Sequence, residues 1–177
     1  SVISSLNREV AYRELEEVGA VIPLTKVKPL ELVSASDLYG KSILKRADRH
    51  EGWAVVRNEK ELRSAIRNYE KERLDRLVIQ KFIEGEHVKY YVIGKKVILS
   101  RSERMVSKMK KQALLARNAL GLEIYGGDLI VTDKKAYLVD VNDWPSFGSI
   151  KGYTQKEAAR EIARYLTKKM GEGKPQV

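Results

Sequence analysis

Three side chains with oxygen donors near the C-terminal end of the 177-residue chain could together hold a metal ion. Asp128 lies in one predicted strand, while Asp140 and Asn142 lie two residues apart in the next and therefore point to the same face. Mg²⁺ prefers hard oxygen ligands and keeps water or phosphate in its remaining positions, so two carboxylates and an amide form a suitable partial set. The pattern predicts a magnesium site, with Mn²⁺ as an alternative cation.

The residues around this motif favour a binding site over an ordinary exposed strand pair. An isolated Asp-x-Asn is typical of a half-exposed strand. Here it follows the apolar run 137–139 and leads directly into an aromatic turn, residues 143–148 (Asp-Trp-Pro-Ser-Phe-Gly). Functional residues are concentrated in loops held by a rigid scaffold, so we expect this turn to border the site.

Lys45 is a candidate phosphate ligand. It ends a strand predicted over residues 41–45 and directly precedes the polar loop 46–52. An ammonium in this place can meet a phosphate while loop amides close over it. The alternative is an edge lysine that extends to water along its apolar stem.

Apolar periodicity and capping residues predict the elements that position these groups. Four helices are predicted: the first is capped by Asn7 and ended by Gly19, the second is capped by Asn58, the third runs from Ser107 to Gly121, and the last is capped by Thr154. A segment opened by Pro29 could also be helical. Strands are predicted over residues 21–24, 41–45, 53–56, 77–83, 88–93, 97–101, 123–132 and 136–142, and a frayed tail over residues 171–177.

The amino-acid composition excludes several classes of protein and site. Cysteine is absent, which excludes disulfides and cysteine nucleophiles and fits a reducing compartment, so we expect a cytoplasmic protein. No apolar run approaches the roughly 20 residues that span a bilayer, so no membrane partner is expected. A formal net charge of +10 favours a polyanionic partner, either a nucleotide triphosphate or a nucleic acid. A basic run at Lys108, Lys110 and Lys111 is the feature that would favour nucleic acid.

Four sequence blocks occur in an order that resembles the motif series of ATP-grasp enzymes. They are residues 77–85, residues 88–94, residues 120–130 and residues 140–145. The chain looks most similar to RimK-type glutamate ligases and inositol polyphosphate kinases. The resemblance implies an α+β fold of two lobes with mainly antiparallel sheets and ATP between them. We expect residues 1–84 to form the N-terminal lobe and residues 85–177 the C-terminal lobe with the metal site.

The resemblance also implies roles for individual residues. Adenine is expected against a hinge between the lobes, and ribose near Glu86 or His87. Asp128, Asp140 and Asn142 are expected to hold Mg²⁺. Arg101, or Arg104 in its place, is expected to steady the acceptor or the developing charge, and Lys89 is assigned a catalytic as well as a nucleotide-binding role. The residues expected to bind the nucleotide are Lys45, Gln80, Lys81, Phe82, Ile83, Glu86 and Lys89.

Three features depart from the family pattern. The final motif has the Asp-x-Asn form, which is closer to the kinase branch. The loop 46–52 contains one glycine where the family has several, which weakens its expected role over the phosphates. The family also has an α/β domain before the segment that begins here near Asn7, so we expect either a fragment or a homo-oligomer or partner that supplies the missing part.

Three functions are therefore expected, in order of preference. The first is a carboxylate-amine ligase that uses ATP and Mg²⁺, forms an acyl phosphate and joins a small-molecule or peptide carboxylate to an amine. The second is a small-molecule kinase that uses the same site on a hydroxyl. The third is a nucleotide-binding or nucleic-acid-binding module without turnover.

Overall fold

The computed structural model describes residues 7–48, 52–100 and 105–172, which form an α+β fold with two four-stranded antiparallel sheets. Four α-helices lie within these ranges: α1 (Arg8–Glu17), α2 (Glu59–Lys71), α3 (Val106–Leu120) and α4 (Gln155–Glu172). The strands are β1 (Thr25–Pro29), β2 (Ser42–Arg46), β3 (Trp53–Val56), β4 (Arg76–Lys81), β5 (Glu86–Ile93), β6 (Lys96–Leu99), β7 (Ile124–Val131) and β8 (Ala136–Asn142). Two short 3₁₀ turns, Leu30–Leu32 and Ala35–Asp37, occupy the segment after Pro29.

The first sheet has the strand order β1-β4-β2-β3. One face packs on α2, where Leu62, Ala65 and Tyr69 contact Leu44 and Ile79 in a buried apolar cluster. Because side chains alternate along a strand, the neighbouring residues of β2 and β4 project from the opposite face. That second face includes Lys45 and Gln80, and it is turned toward the second sheet.

The second sheet has the order β6-β5-β7-β8 and contains one irregularity near the predicted metal motif. Asp128 of β7 is the partner of Asp140 in β8, but the next residue, Leu129, is the partner of Leu138. Val139 therefore has no partner in the ladder, which is the pattern of a β-bulge. The bulge places Asp128 and Asp140 directly opposite each other.

Helix α1 joins the two halves of the molecule. Ala11, Tyr12 and Leu15 belong to the same buried cluster as α3 and the inner face of the second sheet. Val78 of the first sheet contributes to that cluster as well. The division into lobes 1–84 and 85–177 stays a prediction, and the described core shows that α1 packs on elements of the second half.

Several predicted boundaries agree with the structure. Asn7 Oδ1 accepts hydrogen bonds from Glu9 N and Val10 N, and Asn58 Oδ1 accepts one from Glu61 N. Thr154 and Glu157 form the predicted capping box. Gly121 ends α3 with φ 64°, a left-handed conformation that glycine adopts without strain.

Other boundaries are corrected. Residues 21–24 form no strand, because Val21 N donates to the Gln112 side chain at 2.7 Å and Pro23 has no N–H to donate to a ladder. Strand β4 ends at Lys81 instead of residue 83, although Phe82 N still donates to Lys41 O just beyond the last ladder pair, Ser42 and Lys81. Helix α3 begins one residue before Ser107, and α4 continues through Glu172 where a frayed tail was expected from residue 171.

Among the described residues, every helix is too short or too polar to cross a lipid bilayer.

Candidate functional site

A cavity of about 430 Å³ opens between the two sheets and contains most of the predicted site. The first sheet lines it with Ile43, Lys45, Trp53, Val55 and Gln80, and the second with His87, Asp128, Ile130, Val139 and Asp140. Lys81, Phe82 and Ile83 form the connection between β4 and β5 at one side, and Arg8 and Pro23 complete the lining. Predicted nucleotide-binding and metal-binding residues therefore face one cleft.

Lys45 has a defined position in this cleft. Its side chain is 7% exposed, and its ammonium donates to Tyr12 Oη at 3.0 Å, to Gln80 Oε1 at 2.9 Å and to Val139 O at 2.8 Å. An ammonium has three N–H groups, so all of them have acceptors. The alternative of an edge lysine extending to water does not describe this residue.

The predicted hinge residues differ in how they meet the cavity. Gln80 is completely buried, and its amide bonds to Lys45 on one side and to Thr25 Oγ1 on the other. Phe82 is partly buried beneath the ammonium of Lys41, which lies 3.6 Å from the ring centroid. An aromatic ring and an aliphatic side chain at this edge can contact a flat heterocycle.

Asp128 and Asp140 form the charged centre of the second sheet. As direct partners on adjacent strands they project from the same face, about 5 Å apart at their β-carbons in typical geometry. His87 Nε2 and Lys89 Nζ lie 2.9 Å and 3.3 Å from Asp128 Oδ1. Basic neighbours therefore offset part of the carboxylate charge.

Asn142 lies on the same face as Asp140, two residues further along β8. Its Oδ1 accepts a hydrogen bond from Trp144 N at 2.9 Å, which fixes the start of the aromatic turn. An amide oxygen has a second lone pair, so it can still serve as a ligand. Unlike the two aspartates, Asn142 is outside the cavity lining.

The remaining predicted residues are less central. Lys89 pairs with Asp128 without lining the main cavity. Glu86 borders a separate cavity of about 300 Å³, whereas His87, the other residue considered for ribose, lines the main one. Arg101 and Arg104 lie outside the described residues.

The residues that could hold Mg²⁺ fit its chemistry. The described part of the chain contains no group of three or more His, Cys, Asp or Glu side chains that would form a complete cage. Two facing carboxylates and a nearby amide oxygen match the incomplete oxygen set that Mg²⁺ accepts when phosphate and water fill its other positions.

Two residues beside these aspartates are also adapted to the site. A Cβ added at Gly127 would overlap the carbonyl oxygen of Asp140 and lie 2.7 Å from Tyr90 Oη, so only glycine permits this approach of β7 and β8. Tyr90 Oη donates to the same carbonyl at 3.3 Å. Burial raises the pKa of the Tyr90 hydroxyl well above its usual value, so it stays a donor.

Arg8 is a site residue that the sequence reasoning missed. It is 4% exposed, donates to Arg46 O at 3.0 Å and places Nη2 3.8 Å from Asp140 Oδ1. A cation in the first turn of a helix opposes the helix dipole, and this disadvantage was the available signal that Arg8 has another partner. Tyr12, one turn further along α1, gave no comparable signal.

Comparison with known proteins finds similar chains that are named as ligases. No protein-family model matches the chain. A probable alpha-L-glutamate ligase from Parasynechococcus marenigrum (strain WH8102) is 25% identical over 173 residues, which cover 84% of this chain and 36% of the relative. The chain thus spans about a third of the length of this curated relative.

Solved structures show the same architecture. The D-alanine–D-alanine ligase from Bacillus anthracis superposes with a TM-score of 0.77 at 17% identity, covering 96% of this chain and 70% of that one. The ATP-grasp ligase PsnB, in complex with a minimal precursor, Mg and ADP, gives a TM-score of 0.70 at 18% identity, with 93% and 60% covered. The chain therefore has the same fold as these proteins, the ATP-grasp fold that its four motif blocks predicted.

Proposed function

We propose that this chain supplies the nucleotide and metal site of an ATP-dependent carboxylate-amine ligase. One observation carries the proposal: a single cleft holds a buried lysine from one sheet and two facing aspartates from the other. The names of the matched relative and of the two structures, all ligases, support this choice of reaction. The Mg and ADP in the PsnB complex support the choice of ligands.

ATP binds with its base against Phe82 and Ile83 and its phosphates toward Lys45. A phosphate oxygen carries more negative charge than a carbonyl or hydroxyl oxygen, so it can replace one of the three acceptors of the Lys45 ammonium. Gln80 acts through Lys45, because both ends of its amide already have partners. Arg8 adds a second buried cation beside the path of the phosphates.

Asp128 and Asp140 hold Mg²⁺, with Asn142 as a third oxygen donor. An ion held there would supply positive charge that neutralises the phosphates during phosphoryl transfer. Lys89 stays beside Asp128 and can contact the same phosphoryl group. The PsnB complex contains a minimal precursor, Mg and ADP together, which supports a combined metal and nucleotide site.

The reaction proceeds in two transfers. A carboxylate oxygen of the acceptor attacks the terminal phosphorus of ATP, which gives an acyl phosphate and ADP. An amine then attacks the acyl carbon, and phosphate leaves as the amide forms. Arg101, or Arg104 in its place, would steady the acceptor, and holding both reactants in line supplies much of the rate enhancement.

A kinase is the second candidate, favoured by the Asp140-x-Asn142 form of the final motif. The same site would then transfer the phosphoryl group to a hydroxyl. Product analysis separates the two: ligation gives ADP, free phosphate and an amide, whereas the kinase gives ADP and a phosphorylated acceptor.

The site itself is tested by substituting Asp140 with Asn, which keeps the size and removes the charge. We expect the affinity for Mg²⁺ in the presence of ATP to fall by at least about tenfold, the loss usual even for residues that only support a metal ligand. Calorimetric titration of ATP with and without Mg²⁺ measures this. Asp143→Asn, three residues along the chain, is the matched control and should bind as the parent does.

Equal Mg²⁺ dependence in Asp140→Asn and in the parent protein would contradict the metal assignment. Absence of ATP binding in the parent at millimolar concentration would contradict the proposed function as a whole.

A further inference from the structure

The position of the Lys45 ammonium is set from outside the cleft by a chain of hydrogen bonds. Thr25 Oγ1 donates to Pro23 O at 2.7 Å, Gln80 Nε2 donates to Thr25 Oγ1 at 3.0 Å, and Lys45 Nζ donates to Gln80 Oε1 at 2.9 Å. Thr25 and Gln80 are direct partners on β1 and β4, so their side chains share a face. Thr25 does not line the cavity.

The direction of each hydrogen bond in this series follows from the number of hydrogens that each group can donate. A threonine hydroxyl has one hydrogen, and here Pro23 O accepts it. The hydroxyl can then only accept from Gln80, so the NH₂ end of the amide must face Thr25. The oxygen end consequently faces Lys45, which needs an acceptor. The Pro23 carbonyl thus fixes the orientation of the Gln80 amide, although the two groups are connected only through the Thr25 hydroxyl.

We propose that Thr25 is a positioning residue for nucleotide phosphates, acting through Gln80 and Lys45. The inference rests on the proposed role of Lys45 as a phosphate ligand. Gln80 is completely buried, so its amide cannot replace a lost partner with solvent without moving. Movement of Gln80 removes one of the three acceptors that hold the ammonium.

The opposite side of the cleft holds the ammonium in a different way. Val139 O accepts from Lys45 at 2.8 Å, and Tyr12 Oη donates to the same carbonyl at 3.1 Å. Val139 is the bulged residue, so its backbone is not committed to a ladder pair. The next residue is Asp140, so this carbonyl ties the lysine to the strand that carries the metal motif. Of the three acceptors of the Lys45 ammonium, Gln80 is the one that lies in the same sheet as the lysine.

Thr25→Val tests the proposal, because it keeps the shape of the side chain and removes the hydroxyl. We expect ATP affinity to fall about fivefold to tenfold, the change that corresponds to the loss of one hydrogen bond. Adenosine, which lacks phosphates, should bind Thr25→Val and the parent equally. Thr25→Ser restores the hydroxyl and should restore ATP affinity. Calorimetry measures all three, and thermal unfolding shows whether each variant is folded.

A double-mutant cycle with Lys45→Met distinguishes positioning from a general structural role. We expect Lys45→Met to weaken ATP binding and Thr25→Val to cause no further loss in that background. An additive loss, or an equal loss of adenosine binding, would overturn the role of Thr25. If Thr25→Val does not fold, Thr25→Ala takes its place in the cycle.

The outcomes also separate this inference from the proposed function. Weaker ATP binding in Lys45→Met together with parental binding in Thr25→Val would overturn the inference alone. Parental ATP binding in Lys45→Met would overturn the role of Lys45 as a phosphate ligand and the inference with it, because Thr25 acts through that lysine.

Discussion

Each carboxylate at the centre of the site has a basic neighbour from a different part of the chain. Arg8 of α1 approaches Asp140, and His87 and Lys89 of β5 approach Asp128. Two facing carboxylates in a partly buried cleft are costly without a counter-charge, so Arg8 and Lys89 help to make the pair tolerable within the fold. A divalent cation that binds there must compete with them. The affinity of the proposed site for Mg²⁺ therefore depends on these basic residues as well as on the Asp-x-Asn motif.

Gly127 is expected to be intolerant of any side chain. Gly127→Ala would place a methyl group against the Asp140 carbonyl and Tyr90 Oη, so the strands must separate at the bulge. We expect a loss of about 1–3 kcal/mol in the free energy of unfolding, as for other overpacked sites, together with weaker Mg²⁺ binding. Urea denaturation gives the first quantity and calorimetry the second.

Gly171→Ala is the control for this substitution. Apart from the backbone of its own helix, no atom of the described residues lies within 4 Å of a Cβ built at Gly171, which is part of α4, and alanine favours a helix. It should leave stability unchanged or slightly higher. Parental stability in Gly127→Ala would show that β7 and β8 can separate freely and would contradict the close approach.

Residue-level prediction from sequence succeeded where the chemistry was local. The two-residue spacing of Asp140 and Asn142 was sufficient to place them on one face. Arg8, Tyr12 and Thr25 could not be assigned, because their partners lie far along the chain or act through an intermediate side chain. The bulge at Val139 was equally hidden, since strand register depends on the pairing of both strands.

Helix α4 is attached to the second sheet by charged groups as well as by apolar contacts. Glu123 Oε1 pairs with Lys169 and with Arg117, each at 2.9 Å, and Lys96 pairs with Glu161. Near the start of the helix Ala158 is buried with Tyr91, Phe147 and Ile150, whereas Leu166 and Met170 further along are exposed. The ion pair between Lys169 and Glu123 therefore contributes to holding the C-terminal half of the helix on the sheet.

The pH dependence of this attachment has a definite sign. Glu123 is paired with Lys169 and with Arg117, and these interactions lower the pKa of its carboxyl from 4.5 to about 2. A carboxyl with a lowered folded pKa contributes stability above its unfolded pKa and loses that contribution as the pH falls toward the folded one. The contribution of Glu123 is therefore complete above about pH 4.5 and declines between pH 4.5 and 2.

Glu123→Gln should remove this contribution. We expect the variant to have a lower Tm than the parent at pH 6, and the difference in Tm to shrink as the pH is lowered below about 4.5. Thermal unfolding followed by circular dichroism at several pH values measures the difference. A difference in Tm that stays constant down to pH 3 would mean that the charge of Glu123 is not responsible.

Element boundaries were predictable where a cap is encoded in a few adjacent residues. Asn58, Thr154 and Gly121 mark their helix ends as expected, because each cap is satisfied within four residues of chain. Strand ends were less predictable. Strand β4 stops at Lys81 because the chain there leaves one sheet for the other, and this change depends on how the whole molecule is arranged.

At the scale of the molecule, one buried cluster crosses the boundary between the two predicted lobes. It contains α1, α3 and the inner face of the second sheet, together with Ala47 and Val78 from the first half. The order of the four motif blocks was sufficient to predict the two sheets and the cleft between them. Packing of α1 on α3 was not predictable, because apolar periodicity identifies a buried face without identifying its partner.

The shared cluster predicts that the two halves unfold together. Leu15 of α1 is 2% exposed and lies within the cluster, so Leu15→Ala removes apolar contacts and leaves a cavity beside both halves. We expect a loss of about 2–5 kcal/mol in the free energy of unfolding, with a single transition retained. Leu24→Ala, at a side chain that is 60% exposed, should have little effect.

Calorimetry tests the cooperativity directly: a calorimetric enthalpy equal to the van't Hoff enthalpy in parent and variant indicates one unit. Two resolved transitions, with only one displaced by Leu15→Ala, would show that α1 stabilises one half alone and that the lobes fold independently.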